Sequence, residues 1–125
     1  MRGYLKGRPF IFSGPDQWNA LDLGSTAMFA AQSVYNHVRS GEVLLGGRRF
    51  ILRRVAFPEN PPPEYFAVDL IKNHRKAGVS REVIRIKLAE AVARGRLKRS
   101  RLRRQAKRFG TKAIRECVEE AIAAA

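Results

Sequence analysis

Catalysis and metal binding need a few reactive side chains held close together, and this chain offers few. Its two histidines, His37 and His74, stand far apart, and neither has a carboxylate or thiol at ligand spacing. That argues against an acid–base pair or an imidazole-held metal and for structural or surface histidines. Cys117 is the only cysteine, so an intrachain disulfide and a four-thiolate metal site are both excluded. Its spacing from Ile114, Val118 and Ala121 is that of a core position on a helix. Ser13-Gly14-Pro15 does not make a nucleophile elbow, and Gly46-Gly47 lacks the lysine and hydroxyl of a phosphate-binding loop. Asp16 and Asp22 fall in or beside a helix start, where an acid suits the helix dipole. The expectation is a protein without catalytic residues, metal or cofactor.

The residues that do cluster are cations. Lys and Arg number 25 against 11 Asp and Glu, a net charge of +14. Such an excess draws polyanions, nucleic acid first and an acidic protein surface second. From Arg94 to Lys112 there are ten Lys or Arg and no acid. Within that stretch Arg101, Arg104 and Arg108 fall on one helical stripe with Arg103 and Lys107 beside it, opposite Leu102, Ala106 and Phe109. A helix of this kind lies along phosphates while its other side packs on a core. The candidate contacts are Arg96, Lys98, Arg99, Arg101, Arg103, Arg104, Lys107 and Arg108. A second group, Arg48, Arg49 and Arg53, lies in a segment with no acid from Val43 through Pro58. The plainer alternative for any charge run is a solvated face. Arg99–Val118 also fits a helix-turn-helix with Gly110 at the turn, but its second helix would present Glu116, Glu119 and Glu120 to phosphates.

Several elements must position these cations. Phe10–Phe12 reads as a short strand, after which Ser13 or Gly14 caps a helix that buries Trp18 and Leu21 and ends at Gly24. Residues 26–39 are ambiguous between an Ala-rich helix and the alternation of Val34-Tyr35-Asn36-His37-Val38. Glu42–Leu45 and Arg48–Val55 flank Gly46-Gly47 as a β-hairpin, with Arg49, Ile51 and Arg53 on one face and Phe50, Leu52 and Arg54 on the other. Pro58 and Pro61–Pro63 form a stiff connector. Four helices follow. Glu64–Lys76 turns Phe66, Leu70 and Ile71 inward and stops at Gly78; the next, capped by Ser80, carries Ile84, Leu88 and Val92 to about Arg94 and breaks at Gly95. A third is capped by Ser100, and a fourth, capped by Thr111, carries Ile114, Val118 and Ala121. Strands early and helices late define an α+β chain: a short antiparallel sheet with a hairpin, then a helical C-terminal half.

At 125 residues there is room for a single domain, divided as about 9–58 strand-rich, 59–63 connector and 64–125 helical and basic. The start MRGYLKGRPF lacks the apolar stretch of a signal sequence, and no run approaches the ~18 apolar residues of a membrane span. A cytoplasmic protein is expected.

The order of several short motifs resembles the C-terminal region of AbiEi-like antitoxins of bacterial type IV toxin–antitoxin systems, which also act in phage defence. These are Ser13-Gly14-Pro15, Trp18-Asn19, Leu21, Leu23-Gly24, Val34-Tyr35-Asn36, Gly46-Gly47-Arg48-Arg49-Phe50, Arg53-Arg54-Val55 and Phe57-Pro58. Val68-Asp69-Leu70, Arg101-Leu102-Arg103-Arg104 and Phe109-Gly110 continue the likeness, which spans about residues 10 to 115. The resemblance implies an α+β antitoxin domain that counters a nucleotidyltransferase-like toxin, and it favours a strand over Val34–Arg39. Full-length members of that family also carry an N-terminal winged helix that binds their own promoter; the stretch before Phe10 has no room for one, so operator binding is not implied. The expected function is a non-enzymatic, antitoxin-like protein whose basic surface contacts nucleic acid or an acidic partner. The alternative is a general DNA- or RNA-binding accessory protein with no toxin.

Overall fold

The computed structural model of the protein describes residues 5, 7–14, 17–18, 31–75 and 78–125. The chain divides into two compact units, one within residues 1–14 and 28–59 and one within 15–27 and 60–125. The first is a sheet and the second is helical, so the α+β expectation holds.

Four strands build the sheet: β1 (Phe10–Ser13), β2 (Ala31–Asn36), β3 (Gly41–Leu45) and β4 (Arg48–Arg54), in the order β1-β2-β4-β3. The hairpin turns at Gly46-Gly47 as expected, with Leu45 opposite Arg48. Both glycines have positive φ, 58° and 76°, the conformation that a two-residue turn demands and that glycine adopts without strain. The sheet is not wholly antiparallel, however. β2 runs parallel to β4, from Ala31↔Arg49 to Asn36↔Arg54. The reason lies at Asn36, which is fully buried. Its Oδ1 accepts from the backbone N–H groups of Val38 and Arg39, each at 2.8 Å, and this local turn leads the chain away from β2. β3 therefore forms the far edge, and its hairpin returns β4 into the space between.

The β2 strand also replaces the expected Val34–Arg39: it begins at Ala31 and ends where Asn36 makes its turn. Ser13 is the last residue of β1 rather than a helix cap. Gln17 and Trp18 are helical, while Asp16, Leu21, Asp22 and Gly24 lie outside the described residues. Leu5, Val34 and Leu52 form the buried centre of the sheet unit, with Phe10, Val38, Val43 and Phe50 packed against them. The alternation expected along β4 is present: Leu52 is buried and Phe50 half-buried on one face, with Arg49, Ile51 and Arg53 on the other.

The helical unit contains α1 (Pro63–Lys72), α2 (Arg81–Ala93), α3 (Arg99–Phe109) and α4 (Lys112–Ala124). Pro63 belongs to the first turn of α1, where its missing N–H leaves no bond unmade, so the connector ends at Pro62. Leu70 and Ile71 are buried as expected and Phe66 is half-buried, but Tyr65, Ala67, Val68 and Asp69 are buried too. Helix α1 is thus enclosed on nearly all sides. It ends at Lys72, before the expected Lys76 and well before Gly78. Asn73 closes it: its side-chain Nδ2 donates to the Asp69 carbonyl at 2.8 Å and to Asp69 Oδ1 at 3.2 Å, a local alternative to a further helical turn.

Helices α2 and α4 follow their sequence signals. Ser80 Oγ accepts from the Val83 N–H and Thr111 Oγ1 from the Ile114 N–H. Ile84, Leu88 and Val92 of α2, and Ile114, Cys117, Val118 and Ala121 of α4, join Trp18, Leu70, Ile71 and Leu102 in one core.

Candidate nucleic-acid interface

Helix α3 begins one residue before Ser100, at Arg99, so Ser100 lies inside the first turn rather than capping it. A long-range acceptor replaces the expected local cap. Glu64 of α1, only 2% exposed, accepts the Lys98 backbone N–H on Oε2 at 3.0 Å. Leu97 is buried just before it, and the two contacts fix where α3 starts. A carboxylate beside a helix N-terminus is also favoured by the helix dipole.

The helix then partitions as its sequence requires. Leu102 and Ala106 are buried and Phe109 half-buried, with its ring edge-on to Tyr65 at 5.2 Å. Gln105 is buried on the same side, a polar residue that the apolar spacing alone did not reveal. Arg99, Ser100, Arg101, Arg103, Arg104, Lys107 and Arg108 are all exposed, as are Arg96 and Lys98 ahead of the helix. Lys107 and Arg108 occupy the last turn, where the dipole favours cations.

One arginine is already committed. Arg103 makes two parallel bonds to Glu119 of α4, Nε to Oε1 at 2.8 Å and Nη2 to Oε2 at 3.2 Å. This pair holds the Glu119 carboxyl below its usual range and the Arg103 guanidinium above its own. Among the described residues Arg99, Arg101, Arg104, Lys107 and Arg108 pair with no acid, and Arg108 lies over the Phe109 ring at 5.1 Å. The outer face of α3 is therefore a strip of uncompensated charge, with Arg103 turned to its α4 side.

Gly110 and Thr111 join α3 to α4. A Cβ on Gly110 would lie 2.6 Å from the Ala106 carbonyl oxygen and 2.9 Å from Ile114 Cγ2, so the two helices approach as closely as they do only with glycine there. Helix α4 presents Glu116, Glu119 and Glu120 to solvent along with Lys112 and Arg115. Its exposed surface is too acidic to follow a phosphate backbone, unlike that of α3.

The candidate cations of the sheet unit are divided between the two faces of β4. Arg49 pairs with Glu42 across the hairpin, Arg53 is half-buried on the same face, and Arg48 lies over the Phe50 ring at 5.7 Å. Of the three, Arg49 is thus taken up by an internal pair.

Burial pushes the Cys117 thiol up, and burial with the negative charge of Asp69 does the same to the Tyr65 hydroxyl. His37 stacks on Phe57 at 4.2 Å, and His74 Nδ1 lies 3.0 Å from the Val79 carbonyl oxygen. Among the described residues no group of His, Cys, Asp and Glu is placed to hold a metal ion, and no helix is long and apolar enough to cross a membrane. In comparison with known proteins, the chain matches no family model, no curated protein and no solved structure.

Proposed function

We propose that this chain is a non-enzymatic, cytoplasmic, antitoxin-like protein that binds nucleic acid by laying the outer face of α3 along its phosphates. One observation carries the reading: Arg101, Arg104, Lys107 and Arg108 line an exposed helical face with no acid to neutralise them, while the opposite face of the same helix is locked in the core. Uncompensated like charges repel one another, and a polyanion relieves that repulsion while releasing its own counterions. The resemblance of the motif order to that of AbiEi-like antitoxins supports the antitoxin part, with a nucleotidyltransferase-like protein as the toxin.

The test is a salt series with the triple variant Arg101→Gln, Arg104→Gln, Arg108→Gln. Glutamine keeps the helix propensity and leaves the buried face untouched. Log affinity for duplex DNA should fall linearly with log salt, at about −0.9 per phosphate contact. The variant should flatten that slope by roughly two to three units, with little change in preference among sequences. An unchanged slope in a folded variant removes the functional claim for α3. Weak nucleic-acid binding throughout, with a salt-sensitive protein complex lost in the variant, transfers the surface to an acidic partner. Turnover of any substrate that survives exhaustive purification contradicts the non-enzymatic reading.

A further inference from the structure

A cleft of about 790 Å³ opens in the helical unit where the loop after α1 meets the first turns of α2 and α4. Its base is apolar, formed by Ile71 and Ile114, both buried. Around them stand Lys72, Arg75, Arg81, His74, Ser80 and Thr111. Among the described residues no acid lines the cleft, and Lys72, Arg75 and Arg81 pair with no carboxylate.

The polar groups are oriented by their own contacts. A carbonyl only accepts, so the 3.0 Å contact between His74 Nδ1 and the Val79 oxygen has the ring donating, which fixes it at the edge of the cleft. The hydroxyl oxygens of Ser80 and Thr111 accept backbone N–H groups from their own helices. Their hydroxyl protons are left to donate to a group in the cleft.

We propose that this cleft binds the dianionic phosphate of a nucleotide-sized phosphomonoester. Lys72 and Arg75, brought together without a counter-charge, favour a ligand that neutralises both, with Arg81 shared between the cleft and a neighbouring pocket that Glu82, Glu116 and Glu120 also line. A backbone phosphodiester carries a single charge, whereas a terminal phosphate carries roughly −1.5 to −2. Guanidinium forks and hydroxyl donors match its oxygens, and Ile71 and Ile114 offer an apolar seat beside it. The volume falls within the roughly 300–1,000 Å³ of small-molecule sites, far more than a bare anion fills. The site shares no residue with the face of α3 and stands or falls independently of it.

A terminal phosphate has two sources, a free nucleotide and the end of a nucleic-acid strand, and the experiment separates them. Calorimetry with the full chain compares the four ribonucleoside 5′-monophosphates with their nucleosides. Anisotropy compares one oligonucleotide with and without a 5′-phosphate. At least one monophosphate should bind ten or more times more tightly than its nucleoside. Lys72→Gln with Arg75→Gln, both at exposed positions, should abolish that difference, whereas the α3 triple variant should retain it. If the 5′-phosphorylated strand also gains tenfold over its unphosphorylated twin, and loses that gain in the double variant, the source is a strand end. Without that gain, the source is a free nucleotide. Monophosphates no tighter than nucleosides overturn the proposal. So does a preference that survives intact in the folded double variant; should that variant not fold, Arg81→Gln answers the same question.

Discussion

The guanidinium of Arg103 and the carboxylate of Glu119 tie α3 to α4 through two bonds, and so withdraw one cation from an otherwise uncompensated strip. Both side chains are about half exposed, at 52% and 55%, so the pair sits at the rim of the candidate interface and not beneath it. Its consequence is electrostatic more than structural, because exposed pairs add little stability.

Glu119→Gln should therefore release Arg103 and strengthen binding to nucleic acid, steepening the log–log salt slope by about one unit. Arg103→Gln should alter that slope less than Arg104→Gln does. Protonation acts in the same direction. The folded-state value of Glu119 is lowered, so its contribution to stability is present above the ordinary carboxylate range and is lost as pH falls through the lowered value. Acid below that point should free Arg103 in the wild type and leave Glu119→Gln unaffected. A salt series on the three variants at neutral pH, with an acid arm for wild type and Glu119→Gln, decides the matter.

The sequence foretold this helix's two faces because periodicity is a local property: Leu102, Ala106 and Phe109 at spacings of four and three can share only one side. The hairpin at Gly46-Gly47 and the caps Ser80 and Thr111 were legible for the same reason. What escaped was long-range. The Arg103 partner lies 16 positions away, and the acceptor that starts α3 lies 34 positions away in α1. No spacing rule joins such residues. The cleft likewise escaped, because Thr111 and Ile114 of α4 join the stretch from Ile71 to Arg81 only in the fold. The parallel pairing of β2 with β4 escaped because a turn centred on the Asn36 side chain has no fixed sequence pattern.

The hairpin should depend on its glycines. Replacing both Gly46 and Gly47 with valine forces two β-branched residues to positive φ, at about 1–2 kcal/mol each. The denaturant midpoint should drop accordingly, while Gly46→Asn, a residue that tolerates this conformation, should be nearly neutral. A double valine variant with an unchanged midpoint would show that the turn does not hold the register.

Gly110 is constrained in a different way. Its φ of −101° suits any residue, so Gly110→Ala introduces no backbone strain. The added methyl instead meets the Ala106 carbonyl and Ile114. Overpacking of this kind costs roughly 1–3 kcal/mol. The expected signs are a lower thermal midpoint and weaker nucleic-acid binding, since α3 must shift to admit the methyl. Stability equal to wild type would mean that the α3–α4 approach is looser than the structure shows.

Glu64 sets charge and geometry against each other. Removing an acid from a chain of net charge +14 should, on charge alone, favour binding to a polyanion. Yet Glu64 is buried and its Oε2 receives the Lys98 N–H that anchors the start of α3. Glu64→Ala leaves that donor without its acceptor, a loss of about 1–3 kcal/mol. Glu64→Gln removes the same charge but keeps an oxygen where the N–H points. The two variants are equal in charge and differ in geometry. If the anchored start of α3 matters, Glu64→Ala should lower both the thermal midpoint and the affinity for nucleic acid, and Glu64→Gln should leave both near wild type. If only net charge matters, both variants should bind more tightly, and by the same amount. Melting curves and a binding isotherm for each variant at a single salt concentration separate the two accounts.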